Sequence, residues 1–122
     1  MESNNKKYNC FFQLATDIIG GKWKGMVLWA LKKDVKRNGE LKRLIPNISQ
    51  KMLTQQLREL EEVGIVQRIV YPQVPPKVEY KLTKAGEKLI PILYDLHDWG
   101  KEYAVDNEIG LRFDEDANCV ID

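Results

Sequence analysis

The chain has 122 residues, is 43% hydrophobic and 30% charged, and carries a formal net charge of +1 with two cysteines and one histidine. That length fits one domain around a single core, and no stretch approaches the roughly 20 apolar residues of a membrane span, so a cytoplasmic protein without a membrane partner is expected. Cys10, Cys119 and His97 lie at unrelated positions, which excludes a disulfide framework and a zinc site. No nucleophile with a neighbouring base, glycine-rich phosphate loop or metal cluster marks an enzyme or a cofactor.

Residues 1–9 read as a flexible polar arm. Phe11, Leu14, Ala15, Ile18 and Ile19 then recur at helical spacing up to Gly20-Gly21. A second helix is expected from Lys22, with Trp23, Met26, Val27, Ala30 and Leu31 inward. Lys32, Lys33 and Lys36 gather near its end, where cations suit the helix dipole. Asn38-Gly39 reads as a turn, and Glu40 to Ile45 as a short helix with Leu41, Leu44 and Ile45 inward, closed by Pro46. After the turn Pro46-Asn47-Ile48, Ser49 is a good N-cap for a longer helix to Val63, and Gly64 stands where a left-handed C-cap residue belongs.

Beyond Gly64 the character changes to β-branched and aromatic residues. The runs from Ile65 to Tyr71 and Lys77 to Leu82, joined by Pro72-Gln73-Val74-Pro75-Pro76, predict a hairpin with a stiff loop, and Val78, Tyr80 and Leu82 alternate as a half-buried strand should. Thr83 can cap a last helix with an apolar stripe of Ala85, Leu89, Ile92, Leu93, Leu96, Trp99 and Tyr103, which Pro91 is expected to kink or split. Residues 10–106 thus read as one mostly α domain with a small β-hairpin wing, a winged helix-turn-helix, and 107–122 as an acidic, loosely ordered tail.

Charge supports a function for this arrangement. Between Lys36 and Arg58 the cations Lys36, Arg37, Lys42, Arg43, Lys51 and Arg58 face the single acid Glu40, whereas acids dominate from Asp95 onward. On a helical wheel Leu53, Leu57 and Leu60 share one face, and Lys51, Thr54, Gln55 and Arg58 the other. Alone, that pattern describes any solvated amphipathic helix. A preceding helix with Lys42 and Arg43, a tight turn, and a following hairpin with Arg68 and Lys77 change the reading. This is the order in which one helix enters the major groove of double-stranded DNA while a wing touches the backbone. Ser49, Gln50, Lys51, Thr54, Gln55 and Arg58 are the candidate recognition-helix residues. Lys42, Arg43, Arg68, Pro75, Pro76 and Lys77 are the candidate backbone and wing contacts, with the tip at Pro75-Pro76-Lys77 expected to project as a cationic point. The alternative is a winged-helix protein-interaction module without DNA binding.

The runs Ile19-Gly20-Gly21-Lys22-Trp23-Lys24, Leu41-Lys42-Arg43-Leu44-Ile45-Pro46, Ile48 to Leu60 and Val74-Pro75-Pro76-Lys77-Val78-Glu79-Tyr80 resemble those of the HxlR-type, MarR-like bacterial transcriptional regulators. The resemblance runs to about Gly100. It implies a winged helix-turn-helix homodimer on a pseudo-palindromic operator, dimerising through its terminal helices, with Phe11, Leu14, Leu93, Leu96, Trp99 and Tyr103 as candidate interface residues. It also marks Cys10, since some members sense electrophiles or oxidants through a cysteine near the N-terminus. Here Phe11 stands where proline usually follows. Two roles stay open for Cys10: a sensing thiol beside Lys6 and Lys7, or a buried hydrophobe in the dimer interface. A small electrophile or other small molecule is the effector class implied. Cys119 reads as an incidental surface thiol, His97 as a surface or interface residue, and Trp23, Trp29 and Trp99 as packing.

Overall fold

A computed structural model describes residues 8–110, so the outer part of the N-terminal arm and residues 111–122 of the acidic tail, Cys119 included, lie outside the described residues. The element order is α1 (Phe11–Ile19), α2 (Lys24–Ala30), α3 (Asn38–Leu44), α4 (Gln50–Glu62), β1 (Val66–Tyr71), β2 (Lys77–Leu82) and α5 (Lys84–Asp106).

Helices α2, α3 and α4 close around one core. Val27 and Leu28 of α2, Leu41 of α3, and Leu53, Leu57 and Leu60 of α4 are sealed from solvent, with Ile45 and Ile48 filling the turn between the last two helices. That turn holds Asn47 at φ 68, in the left-handed region where an asparagine side chain is tolerated. It lets α4 leave α3 at an angle, and Ser49 accepts a hydrogen bond from the Met52 N–H at 3.0 Å to start the next helix.

The other end of α4 is fixed as tightly. Gly64 at φ 78 ends the helix and turns the chain into β1. Thr83 Oγ1 then ties the hairpin root together, donating to the carbonyl of Gly64 at 2.6 Å while accepting from the Gly86 N–H at the head of α5. A side chain at Gly86 would meet the Ile65 carbonyl oxygen at 2.4 Å, so the close approach of α5 to this root requires glycine.

β1 and β2 pair antiparallel in the register Val66↔Leu82, Arg68↔Tyr80 and Tyr71↔Lys77. Burial is complete only at the root, where Val66 and Leu82 join the core, and the hairpin projects from there. The expected inward alternation is therefore clear at Leu82 and weakens outward, with Val78 and Tyr80 half-buried. Lys36 adds to the outer edge of β2: its N–H donates to the Tyr80 carbonyl and its carbonyl accepts from the Tyr80 N–H, at 3.0 and 2.8 Å. The segment between α2 and α3 thereby braces the wing.

Three expectations are corrected. Helix α2 begins at Lys24 rather than Lys22, after Gly21 at φ 90, and ends at Ala30, so Lys32, Lys33 and Lys36 follow its C-cap, Leu31. Asn38 and Gly39 are the first residues of α3, not a turn, because Glu40 reaches back and accepts from the Arg37 N–H at 2.7 Å. Pro91 does not split α5, which runs unbroken for 23 residues. Pro91 is exposed, so the carbonyl that loses its helical partner can turn to water.

Candidate nucleic-acid interface

Helix α4 sorts its side chains cleanly. Gln50, Lys51, Thr54, Gln55 and Arg58 are exposed on one side, while Leu53, Gln56, Leu57 and Leu60 are buried on the other. Its 13 residues span about 20 Å, more than the width of a major groove. Ser49 is exposed and its hydroxyl is engaged as the cap. The outward polar groups are partly pre-arranged along the helix: Gln50 Nε2 donates to Thr54 Oγ1 at 3.1 Å, and Gln55 Nε2 donates to Glu59 Oε2 at 3.1 Å.

Glu59 is the residue that sequence reading missed. Its Oε1 lies 2.6 Å from the Lys24 ammonium at the start of α2, and that ion pair together with the Gln55 amide holds its carboxyl below the usual carboxylate range. Lys24 and Glu59 are 35 residues apart in the chain, and no periodicity connects them. Gln56 was missed as well. It faces inward, with its Nε2 donating to Met52 Sδ at 3.2 Å.

Lys42 and Arg43 are exposed in the last turn of α3, and Arg68 is exposed on β1, so three of the candidate backbone contacts carry accessible cations around α4. Pro75 and Pro76 are exposed in the wing loop beside Val74, which is 98% exposed. Lys77 departs from expectation. Instead of projecting as a cationic tip, its ammonium folds back over the Tyr71 ring, 4.7 Å from the centroid, and pairs with Glu79 at 3.6 Å. Glu79 also accepts from the Tyr71 hydroxyl at 2.9 Å, which pushes the phenol pKa up. The loop end of the hairpin is thus apolar and proline-rich, with its nearest lysine already engaged.

The terminal helices present a different surface. Phe11 on α1 and Leu96, Trp99 and Tyr103 on α5 are exposed, and the Trp99 and Tyr103 rings stack at 5.1 Å in the open. Leu14 is half-buried. Leu93 does not belong to this face: it is sealed in the core of its own chain, where α5 packs on α2. Cys10 is exposed within the chain and caps α1, its Sγ accepting from the Gln13 N–H at 3.4 Å. Trp29 is buried, with the His97 ring stacked on it at 5.0 Å, and His97 contacts Asp98 at 3.3 Å. Among the described residues no group of acids, histidines and cysteines suits a metal ion, and no helix is long and apolar enough to cross a membrane.

A helix-turn-helix whose second helix is buried on one side and polar on the other, followed by a braced hairpin, is the architecture of a winged helix-turn-helix protein. The chain belongs to the HxlR-like helix-turn-helix family, whose model matches residues 18–108. It is 59% identical over 99 residues, 81% of this chain and 84% of the relative, to the HTH-type transcriptional regulator YkvN of Bacillus subtilis (strain 168). The redox regulator HypR in its reduced form superposes with a TM-score of 0.76 at 48% identity, covering 80% of this chain and 96% of the other. Its oxidised form superposes at 0.73 with 50% identity, covering 76% and 96%. A MarR-family regulator from Porphyromonas gingivalis W83 gives 0.74 at 40% identity over 77% of this chain and 92% of the other. The chain is a transcriptional regulator of the helix-turn-helix type.

Proposed function

We propose that this regulator acts as a homodimer that places two copies of α4 in successive major grooves, about 34 Å apart on one face of a pseudo-palindromic operator. The observation that carries the reading is the outward side of α4, where Gln50, Lys51, Thr54, Gln55 and Arg58 stand exposed over a fully buried leucine face. Arg and Lys donate to guanine, Gln matches adenine, and Thr offers a hydroxyl or a methyl to thymine. Lys42, Arg43 and Arg68 supply phosphate contacts that fix the register. The wing loop, with Pro75 and Pro76, meets the flanking duplex through shape more than charge, since Lys77 is held by Glu79 and Tyr71. Phe11, Leu96, Trp99 and Tyr103 form the apolar face that a second copy covers, with Leu14 at its margin. The experiment is a binding titration over a salt series with operator fragments selected from genomic DNA. Arg58→Ala is expected to weaken specific binding by about 1–3 kcal/mol and to relax preference at one position. Binding to no DNA, or binding insensitive to salt, would overturn the reading.

Cys10 is the proposed control point. It is exposed on the cap of α1, next to Phe11, one of the residues proposed for the dimer face, and HypR, a redox regulator, is among the structural neighbours. Modification of the thiol by an oxidant or a small electrophile removes the cap acceptor and adds bulk beside the interface. Mild oxidant is expected to release DNA from the wild-type protein and not from Cys10→Ser. Equal release from both removes the thiol from regulation.

A further inference from the structure

The outward face of α4 is braced from beneath at one position. Lys24 Nζ lies 2.6 Å from Glu59 Oε1, with the lysine side chain 15% exposed and the glutamate 41% exposed. The second carboxylate oxygen of Glu59 accepts from Gln55 Nε2 at 3.1 Å. One carboxylate is therefore held between a cation on α2 and an amide on the candidate reading face. Because a carboxylate only accepts, Gln55 has to turn its nitrogen toward it. Gln50 is under no such constraint: its partner is the Thr54 hydroxyl, which can donate or accept.

This fixes what Gln55 has left to offer. Of its two amide N–H groups one is engaged by Glu59, and one N–H and the carbonyl oxygen remain. An adenine edge in the major groove presents one acceptor, N7, and one donor, N6–H₂, which that remaining pair complements. A guanine edge presents two acceptors, N7 and O6. An untethered glutamine amide can give both N–H groups to guanine, whereas a tethered one has a single N–H to give. We infer that Glu59, anchored by Lys24, is a positioning residue that sets Gln55 to prefer adenine over guanine at its base pair. The ion pair also offsets the negative charge that Glu59 would otherwise bring toward the phosphates. The inference rests on the reading of Gln55 as a base contact, and its test separates the two.

The test is competition binding of the full-length protein to operator duplexes carrying each base at each half-site position, with thermal melting of every variant as the control for folding. Gln55→Ala identifies the Gln55 position as the one that becomes indifferent. At that position Glu59→Ala is expected to lower the adenine-over-guanine ratio about fivefold, the small end of what a bidentate contact discriminates, and to leave the other positions unchanged.

The exchanged pair Lys24→Glu with Glu59→Lys is the decisive variant. It restores a bridge between α2 and α4 and is expected to recover the melting temperature. A lysine at 59, however, donates to the Gln55 carbonyl, freeing both N–H groups and moving the preference toward guanine. A purely structural bridge would instead recover the adenine preference along with the stability, and that result overturns the inference. So does an unchanged ratio in Glu59→Ala when Gln55→Ala has moved it. If Gln55→Ala moves no position, the base-contact reading of Gln55 fails and the inference falls with it.

Discussion

Helices α4 and α5 both carry an apolar stripe at helical spacing, but the stripe of α4 is covered by its own chain and that of α5 is open beyond Leu93. Leu53, Leu57 and Leu60 of α4 are at most 1% exposed, whereas Leu96, Trp99 and Tyr103 of α5 are 62%, 62% and 49% exposed. Periodicity alone treats the two alike. The difference lies in what each meets: α4 packs against α2, α3 and the hairpin root, while nothing among the described residues buries Leu96, Trp99 and Tyr103 of α5. Isolated exposed apolar side chains are ordinary, but several on one helix are the feature on which the proposed dimer face rests. Stability within the chain thus rests on α4, and the homodimer proposed above would rest on α5.

That division can be broken from either side. Leu57→Ala removes a sealed side chain from the α4 core and is expected to cost roughly 2–5 kcal/mol of folding stability, read as a lower midpoint in chemical denaturation. A loss below about 0.5 kcal/mol, the range of surface substitutions, would contradict the packing described. On the other helix, Trp99→Ser is expected to leave the monomer's circular dichroism unchanged and to weaken self-association by about 2 kcal/mol or more, as an aromatic anchor does. Sedimentation at several concentrations reads this directly, and an unaltered dimer would remove α5 from the interface.

The smallest effect concerns acid. The Glu59 carboxyl is held below the usual range by Lys24 and Gln55, so the folded state binds its proton less readily than the unfolded chain does. Its contribution is therefore present above the unfolded pKa and fades as pH falls through the lower, folded one, on the acid side of about pH 4. The Glu59 side chain is 41% exposed, so the contribution is modest. Replacing it by Glu59→Gln is expected to lower the melting temperature slightly in the neutral region and to let the two curves converge in acid, so that the variant's acid limb is the flatter one. An acid limb as steep as that of the wild type would mean that the pairing with Lys24 has no consequence in solution.

The elements with strong local signals are legible in the sequence. The N-cap at Ser49, the left-handed Gly64, the hairpin and the two faces of α4 follow from residue type and spacing over a few positions. What escaped is long-range or depends on tertiary competition. Lys24 and Glu59 meet only because α2 and α4 cross. The Lys36–Tyr80 bridge is one residue long and has no period to detect. Asn38-Gly39 favours a turn locally, yet Glu40 caps it into a helix. Lys77 looked like a free cation because a sequence shows charge and not the Tyr71 ring and Glu79 carboxylate that hold it. Leu93 and Leu96 share one stripe in the sequence, and only the packing of α5 on α2 separates a core residue from an open one.

The proposed function has two copies of α4 reading one face of a duplex together. It is tested most directly by inserting five base pairs between the half-sites of a selected operator, which turns one half-site to the opposite face of the helix. We expect specific binding to fall to that of a single half-site and to return when the insertion is extended to ten, about one full turn. Affinity unchanged by the five-base-pair insertion would contradict a paired, symmetric engagement of α4.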